Sequence, residues 1–237
     1  LIAASASEGV LIQAAVAGGT LVQGNLIGTN VGGTAALGNG AAYARDGVRV
    51  STSAGVEVGG SVAGAGNTIA ANSRDGVNVS STGGSVNDNR IGVGSDGVTP
   101  LGNGRHGLYV SASDTTVGVD APNTIAHNGG LGVYVLSGTG SRVRRNSIHS
   151  NGGLGIGFAT TVVPNDPGDA DTGSNMRQNF PVLTSASGGS LTGSLNSAAG
   201  TQFTIDVYAS PACDPSGYGE GETYVGSTSA TTDGTGN

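Results

Sequence analysis

A phrase at residues 146–158 limits what this chain can fold into. It reads Asn146-x-Ile148-x-x-Asn151, a glycine-bearing bend, then Gly155-Ile156-x-Phe158. Its first half recurs as Asn25/Ile27, Asn67/Ile69, Asn89/Ile91 and Asn123/Ile125. Its second half recurs as Gly9-Val10-x-Ile12, Gly47-Val48-x-Val50, Gly76-Val77-x-Val79, Gly107-Leu108-x-Val110 and Gly132-Val133-x-Val135. The halves alternate in strict order, with the Asn returning every 22 to 42 residues. A period of that size marks stacked supersecondary units, none of which buries its apolar face alone.

In each second half the aliphatic residues stand two apart, which on a strand places both on one face. A helix is excluded by the glycines, each costing about 1 kcal/mol relative to Ala in a helix interior. Glycine makes up 46 of the 237 residues, yet 36% of the chain is hydrophobic and regularly spaced, which argues for short buried strands with tight turns rather than disorder. A third strand per turn is visible at Val86, Val117/Val119 and Val143. A short turn, Ile125 to Ile148, spans 23 residues and accommodates three short strands and three bends. The expected fold is therefore all-β: a parallel solenoid of about six coils stacked at about 4.8 Å.

Asn-x-Ile-x-x-Asn followed by Gly-[Val/Ile]-x-[Val/Phe] resembles the repeat of the right-handed parallel β-helix proteins. That group includes pectate-lyase-like enzymes, mannuronan epimerases and large secreted surface proteins. The resemblance covers residues 1–159, about two thirds of the chain, and its motif residues are the ones that build the coil. Asn tolerates a bend and can bond both backbone and the Asn of the next coil, so Asn67, Asn89, Asn123 and Asn146 are expected to form a ladder.

Chemistry, if present, lies where coils depart from this pattern. Two related 13-residue segments, 28–40 and 92–104, are inserted at one corner and should project side by side. Just before the repeated glycine stand Arg45-Asp46, Arg74-Asp75 and Arg105-His106. Stacked, they form either a charge ladder or an Arg-lined groove for an acidic polysaccharide, in which Asp46, Asp75 or His106 moves a proton and Arg74 and Arg105 neutralise carboxylates. Glycoside hydrolysis would need two carboxyls roughly 5 to 10 Å apart, for which Asp46 and Asp75 are the candidates. Tyr109 and Tyr134 point outward from adjacent coils beside the column of Arg49; with Arg45, Arg74 and Arg105 they form the candidate carbohydrate-binding set. Arg142, Arg144 and Arg145 read as a solvated basic edge.

The repeat ends at Phe158. Residues 160–178 form an acidic linker in which Asp166, Asp169, Asp171 and Asn175 gather oxygen ligands among glycines. Two cofactor readings stay open: none, or calcium at these four residues. From 179 to 237 the pattern becomes antiparallel, with Phe203, Ile205 and Val207 alternating against Thr204, Asp206 and Tyr208. This resembles a partial immunoglobulin-like β-sandwich module of the kind that follows β-helices in large secreted bacterial proteins. Its last strands are not in the sequence, so completion by a longer chain or by another copy is expected. Cys213 is the one cysteine, either a lone thiol or a small half-buried hydrophobe.

The formal net charge of −7 disfavours nucleic acid, and no apolar run approaches the roughly 20 residues of a membrane span. All nine cations are Arg. The lyases of the resembled group often use Lys or Arg, so here Arg alone could serve. The expectation is a structural or adhesive, non-catalytic segment of a bacterial extracellular surface protein or filament. Its partners would be other copies or the rest of a longer chain. The alternative is a polysaccharide-active lyase, epimerase or hydrolase, or a non-catalytic carbohydrate binder.

Overall fold

The computed structural model describes residues 1–13, 19–214 and 216–237. The chain winds into a parallel β-helix whose coils contribute one short strand to each of three sheets. Sheet 1 stacks Val10–Gln13, Val48–Ser51, Val77–Val79, Leu108–Val110, Val133–Val135 and Ile156–Gly157. Sheet 2 stacks Leu21–Val22, Glu57–Gly59, Ser85–Asn87, Thr116–Val117 and Arg142–Val143. Sheet 3 stacks Leu26–Ile27, Thr68–Ile69, Arg90–Ile91, Thr124–Ala126 and Ser147–His149.

Register follows the repeated phrase residue for residue. Val10, Val48, Val77, Leu108 and Val133 lie in one column of sheet 1. Val22, Val58, Val86, Val117 and Val143 line sheet 2. Ile27, Ile69, Ile91, Ile125 and Ile148 line sheet 3. These columns meet along the axis as the apolar core, in which the four isoleucines 27, 69, 91 and 125 are fully excluded from solvent. Because side chains alternate faces with period two, a slip of one residue would turn a whole column outward, and burial therefore pins the register. Ile2 bridges to Ile27 and adds a further partial coil that the phrase does not announce.

The glycine at the entry to sheet 1 is required by close approach. A Cβ on Gly107 would lie 2.5 Å from Ile125 Cγ2 and 2.7 Å from the carbonyl oxygen of Gly132. At the far end, Ile156, expected in the core, is 46% exposed, because no further coil stacks on it.

Two Asn ladders run the length of the rod. In the first, each side-chain amide donates to the Asn Oδ1 of the next coil: Asn25 to Asn67 (3.1 Å), Asn67 to Asn89 (2.8 Å), Asn89 to Asn123 (3.0 Å) and Asn123 to Asn146 (2.8 Å). The second runs Asn39, Asn72, Asn103, Asn128, Asn151 at 2.9 to 3.0 Å. In plain coils the second Asn follows Ile by three residues (Ile69, Asn72); in the long coils it follows by twelve (Ile27, Asn39; Ile91, Asn103). The insertions thus leave the coil after Ile and rejoin at the same rung. Each folds as a small antiparallel excursion, Thr29 bridging Ala36 and Val93 bridging Pro100. They do lie side by side: Ser95 N–H donates to Gly33 O (2.8 Å) across the plain coil between them.

After the rod, the antiparallel, sandwich-like end consists of two hairpins, Val182–Ser187 with Ser190–Ser194 and Gln202–Ala209 with Thr223–Thr231. The first hairpin is exposed along its whole length. The second is anchored to the rod. Ile148 N–H donates to Gly221 O (2.8 Å), so the segment before its last strand lies where a next strand of sheet 3 would run. Arg144, read from the sequence as part of a solvated edge, makes a bidentate pair with Asp206 (3.1 and 2.5 Å). Among the described residues no helix is long and apolar enough to cross a membrane.

Candidate functional site

The Arg-Asp stripe lies at the corner leading into sheet 1. Asp46 and Asp75 are completely buried, and His106 is nearly so. Their acceptor atoms are taken by the backbone of the following coil: Asp75 N–H donates to Asp46 Oδ1 (3.3 Å), His106 N–H to Asp75 Oδ1 (3.1 Å) and Leu131 N–H to His106 Nδ1 (3.0 Å). Three different side chains thus make one interaction repeated along the axis. It is a third ladder, unlike the Asn ladders in having charged members.

The other oxygens are engaged as well. Asn78 Nδ2 donates to Asp46 Oδ2 (2.9 Å), and Arg105 clamps Asp75 through Nε (2.8 Å) and Nη2 (2.5 Å). Arg74 stands between the two carboxylates at 4.0 Å from Asp46 and 3.9 Å from Asp75, and Arg45 reaches Glu8 at 3.4 Å. Burial, and then the charge of Asp75, push the Asp46 carboxyl above its ordinary range. Burial likewise holds the His106 imidazole below its usual range. Its Nδ1 accepts a hydrogen bond, so the neutral ring carries its proton on Nε2.

Beside this ladder runs the outward row of sheet 1, in which Arg49, Asn78, Tyr109, Tyr134 and Gly157 are in register. Tyr109 and Tyr134 meet edge to face at 5.7 Å between centroids, and the Arg105 guanidinium lies 4.9 Å from the Tyr109 ring centre. His106 packs against Tyr134 at 5.0 Å. Arg105, His106, Tyr109 and Tyr134 therefore form one contiguous aromatic and cationic cluster. Arg45 belongs instead with Glu8 at the first coil. The two tyrosines and Arg105 are half-buried, which leaves part of each facing solvent.

In the acidic segment, Asp166, Asp169 and Asp171 each place a carboxylate oxygen within 4.8 Å of the others. Asn175, grouped with them from the sequence, is committed elsewhere. Its Oδ1 accepts from Ser141 N–H (2.9 Å), its Nδ2 donates to Ser141 O (3.1 Å), and its N–H donates to Gly138 O (2.7 Å). Asn175, Met176 and Arg177 form a left-handed turn (φ 47, 58 and 50°), and Asn175 is held there against Ser141 of the rod. Cys213 is exposed rather than half-buried.

Sequence reasoning did not find Glu220, which continues the second Asn ladder, nor the role of Asn39 and Asn103. The latter pair carried a signal: both insertions end in Leu-Gly-Asn-Gly, at Leu37 and Leu101. No protein-family model matches this chain, and no curated protein or solved structure is significantly similar to it.

Proposed function

We propose that this chain is a structural, non-catalytic rod segment of a bacterial extracellular surface protein, joined to a module of immunoglobulin-like kind. The observation that supports this reading is the third ladder. Asp46, Asp75 and His106 would be the proton-moving groups of an enzyme, yet each spends its acceptor on the backbone N–H of the next coil. A general base has to reach a substrate proton at about 2.6 to 3.2 Å. The two carboxylates sit beneath the surface with every oxygen hydrogen-bonded, and Arg105 is held by Asp75. The partners on this reading are the rest of a longer chain or further copies of this one.

A second reading, carbohydrate binding without turnover, is favoured by one observation. Tyr109, Tyr134 and Arg105 present aromatic and cationic surface outside the ladder. Aromatic rings suit the apolar faces of sugars.

Turnover assays with pectate, alginate and hyaluronan test the structural reading directly. It expects none; turnover abolished by Asp75→Ala or His106→Ala would overturn it. Electron micrographs of the source material that show fibres repeating at the length of one chain would support it. Retention of the chain on an immobilised acidic polysaccharide, lost with Tyr109→Ala and Tyr134→Ala but without turnover, would favour the second reading.

A further inference from the structure

We propose that the chain cuts itself at the Asp166–Pro167 bond, with the side-chain carboxyl of Asp166 as nucleophile and Asn179 as a donor to the developing oxyanion. This single event goes beyond the structural reading of the rod, which it leaves without an external substrate. An Asp-Pro bond suits such a reaction. The aspartate oxygen reaches its own carbonyl carbon by closing a five-membered ring, and the nitrogen it displaces leaves as a secondary amine, more basic than the primary amine that other peptide bonds release. Holding nucleophile and carbonyl in one residue makes the attack unimolecular.

The fold places donors on the carbonyl of this bond. Asp166-Pro167-Gly168-Asp169 is a β-turn with Pro second and Gly168 third at φ 72°, closed by Asp169 N–H donating to Asp166 O (3.3 Å). Asn179, which is buried, grips the same residue: its Nδ2 donates to Asp166 O (2.6 Å) and its Oδ1 accepts from Asp166 N–H (3.1 Å). A further bond from Asn179 Nδ2 to Asn196 O (2.8 Å) fixes that amide. Two donors thus face the oxygen on which charge develops as the carbonyl is attacked, before any reaction begins. The carboxyl is divided in its commitments. Asp166 Oδ2 accepts from the N–H groups of Ala170 and Asp171 (3.1 Å each), while Oδ1 is shielded from water and has no hydrogen-bond partner. One oxygen orients the group and the other is left to attack. Pro167, on the leaving side, is exposed, so water reaches the bond once it opens.

The step balances with water as the only co-reactant. Oδ1 attacks the Asp166 carbonyl carbon and a C–O bond forms. The C–N bond to Pro167 breaks, and the carboxyl proton passes to the proline nitrogen, which leaves as a secondary amine. Water then opens the cyclic anhydride to two carboxyls, so the sum is hydrolysis of one peptide bond. Because a proton must reach the nitrogen, mild acid speeds the step. The charged groups around the carboxyl are Asp169 and Asp171, with oxygens within 4.8 Å, and Arg177, 3.8 Å from Asp171. The bond lies between the rod and the first hairpin, so the cut removes the covalent tether while Arg144–Asp206 and Asn151–Glu220 still hold the module in place.

Incubation of the purified full chain at neutral and mildly acidic pH, read by denaturing electrophoresis and mass spectrometry, tests this. The expected fragments end at Asp166 and begin at Pro167. They should form about tenfold faster or more in the folded chain than in the same chain unfolded in urea, where Asn179 no longer faces the carbonyl. The other Asp-Pro bond, Asp214–Pro215, should be cut more slowly than this one in the folded chain. Asp166→Ala should abolish the cut, and Asn179→Leu should slow it about tenfold or more. In water enriched in heavy oxygen, label should enter the side-chain carboxyl of Asp166 as well as the new terminal carboxyl. Label confined to the terminal carboxyl means direct hydrolysis and overturns the proposal, as does a cut that persists undiminished in Asp166→Ala. Should the variants fail to fold by circular dichroism, the parent decides: no cut, or a cut no faster folded than unfolded, overturns it.

Discussion

Glu220 accepts both the backbone N–H and the side-chain amide of Asn151, at 3.3 and 3.2 Å. That is the geometry by which Asn151 itself receives Asn128, at 3.1 and 3.0 Å. A residue 69 positions away in the chain therefore stands as the last rung of the second Asn ladder. Solenoids need an end that does not invite further stacking, and here the loop of the second hairpin supplies it.

Replacing this rung separates acceptor from charge. Glu220→Gln keeps an acceptor and should be close to neutral. Glu220→Ala leaves the Asn151 N–H without its acceptor, while the Asn151 amide keeps Ile125 O and His149 O, and should cost about 1 kcal/mol or more. Burial raises the Glu220 carboxyl above its ordinary range. A raised folded-state pKa means that the folded chain holds the proton more tightly. The stabilising contribution is therefore complete below the unfolded value and is lost as pH rises through the folded one. Urea midpoints should show Glu220→Gln gaining on the parent as pH rises through that window. Equal pH dependence in the two proteins would contradict this account.

Asp46 offers a parallel case inside the rod. Its carboxyl is raised by burial and by Asp75, so its stabilising contribution is likewise present at low pH and lost as pH rises through the raised value. Asp46→Asn retains the acceptor for Asp75 N–H and removes a buried like charge. Asn78 can turn its amide to suit, because the Ser80 hydroxyl that now donates to Asn78 Oδ1 can accept instead. At neutral pH the variant should equal or exceed the parent in stability, with the difference vanishing in acid. Asp46→Ala should lose about 1–3 kcal/mol at either pH. Chemical denaturation at two pH values checks both statements.

Interior rungs of the first ladder should be far less tolerant. Asn89 Nδ2 donates to Asn123 Oδ1, Val58 O and Asn87 O, and its Oδ1 receives both the N–H and the amide of Asn67. Asn89→Ala should destabilise by about 3 kcal/mol or more, since several buried groups lose partners together. Asn89→Asp should do no better at neutral pH, because it keeps the acceptor, loses the donors and buries a charge. Amide exchange would register the damage as lost protection at Asn67 and Arg90 before global unfolding. Protection at those amides equal to the parent's would refute the ladder's energetic role.

The module's hold on the rod depends on Arg144 and Asp206. Arg144→Ala should loosen it by about 1–2 kcal/mol, a modest value for a partly exposed pair. Lys should not restore it, because an ammonium cannot make the two-pronged contact. Limited proteolysis is the readout: cleavage between residues 159 and 181 should accelerate in both variants while the rod stays intact. Cleavage at the parent's rate in Arg144→Ala would show that Gly221 and Glu220 suffice.

Glycine placement gives a sharp contrast. Gly107→Ala would set a methyl group 2.5 Å from Ile125 Cγ2, whereas the same change at Gly219 meets nothing within 4 Å. The first should cost about 1–3 kcal/mol by overpacking and the second almost nothing. Thermal midpoints that fail to separate the two would mean the coils can shift apart.

Much of the rod is legible in the chain alone, for a local reason. Strand faces follow from aliphatics two apart, bends from Asn and Gly, and coil stacking from the return of one phrase, so spacing suffices to assign Ile69, Ile91 and Ile125 to the core. The stripe at Asp46, Asp75 and His106 is also visible as a column. Its meaning is not, because sequence reports which residues align and not where their lone pairs point. Only the stacked coils bring Asp75 N–H to Asp46 Oδ1 and Leu131 N–H to His106 Nδ1. The same limit applies at the end of the rod. Asn175 reads as a ligand beside three aspartates until a left-handed turn takes it to Ser141. Glu220 and Asp206 carry no local mark that one closes an Asn ladder and the other holds Arg144. Periodicity is a property of neighbours along the chain. Capping and pairing join residues 62 and 69 positions apart, and the filling of acceptors joins residues 25 to 31 apart on successive coils; those the tertiary structure decides.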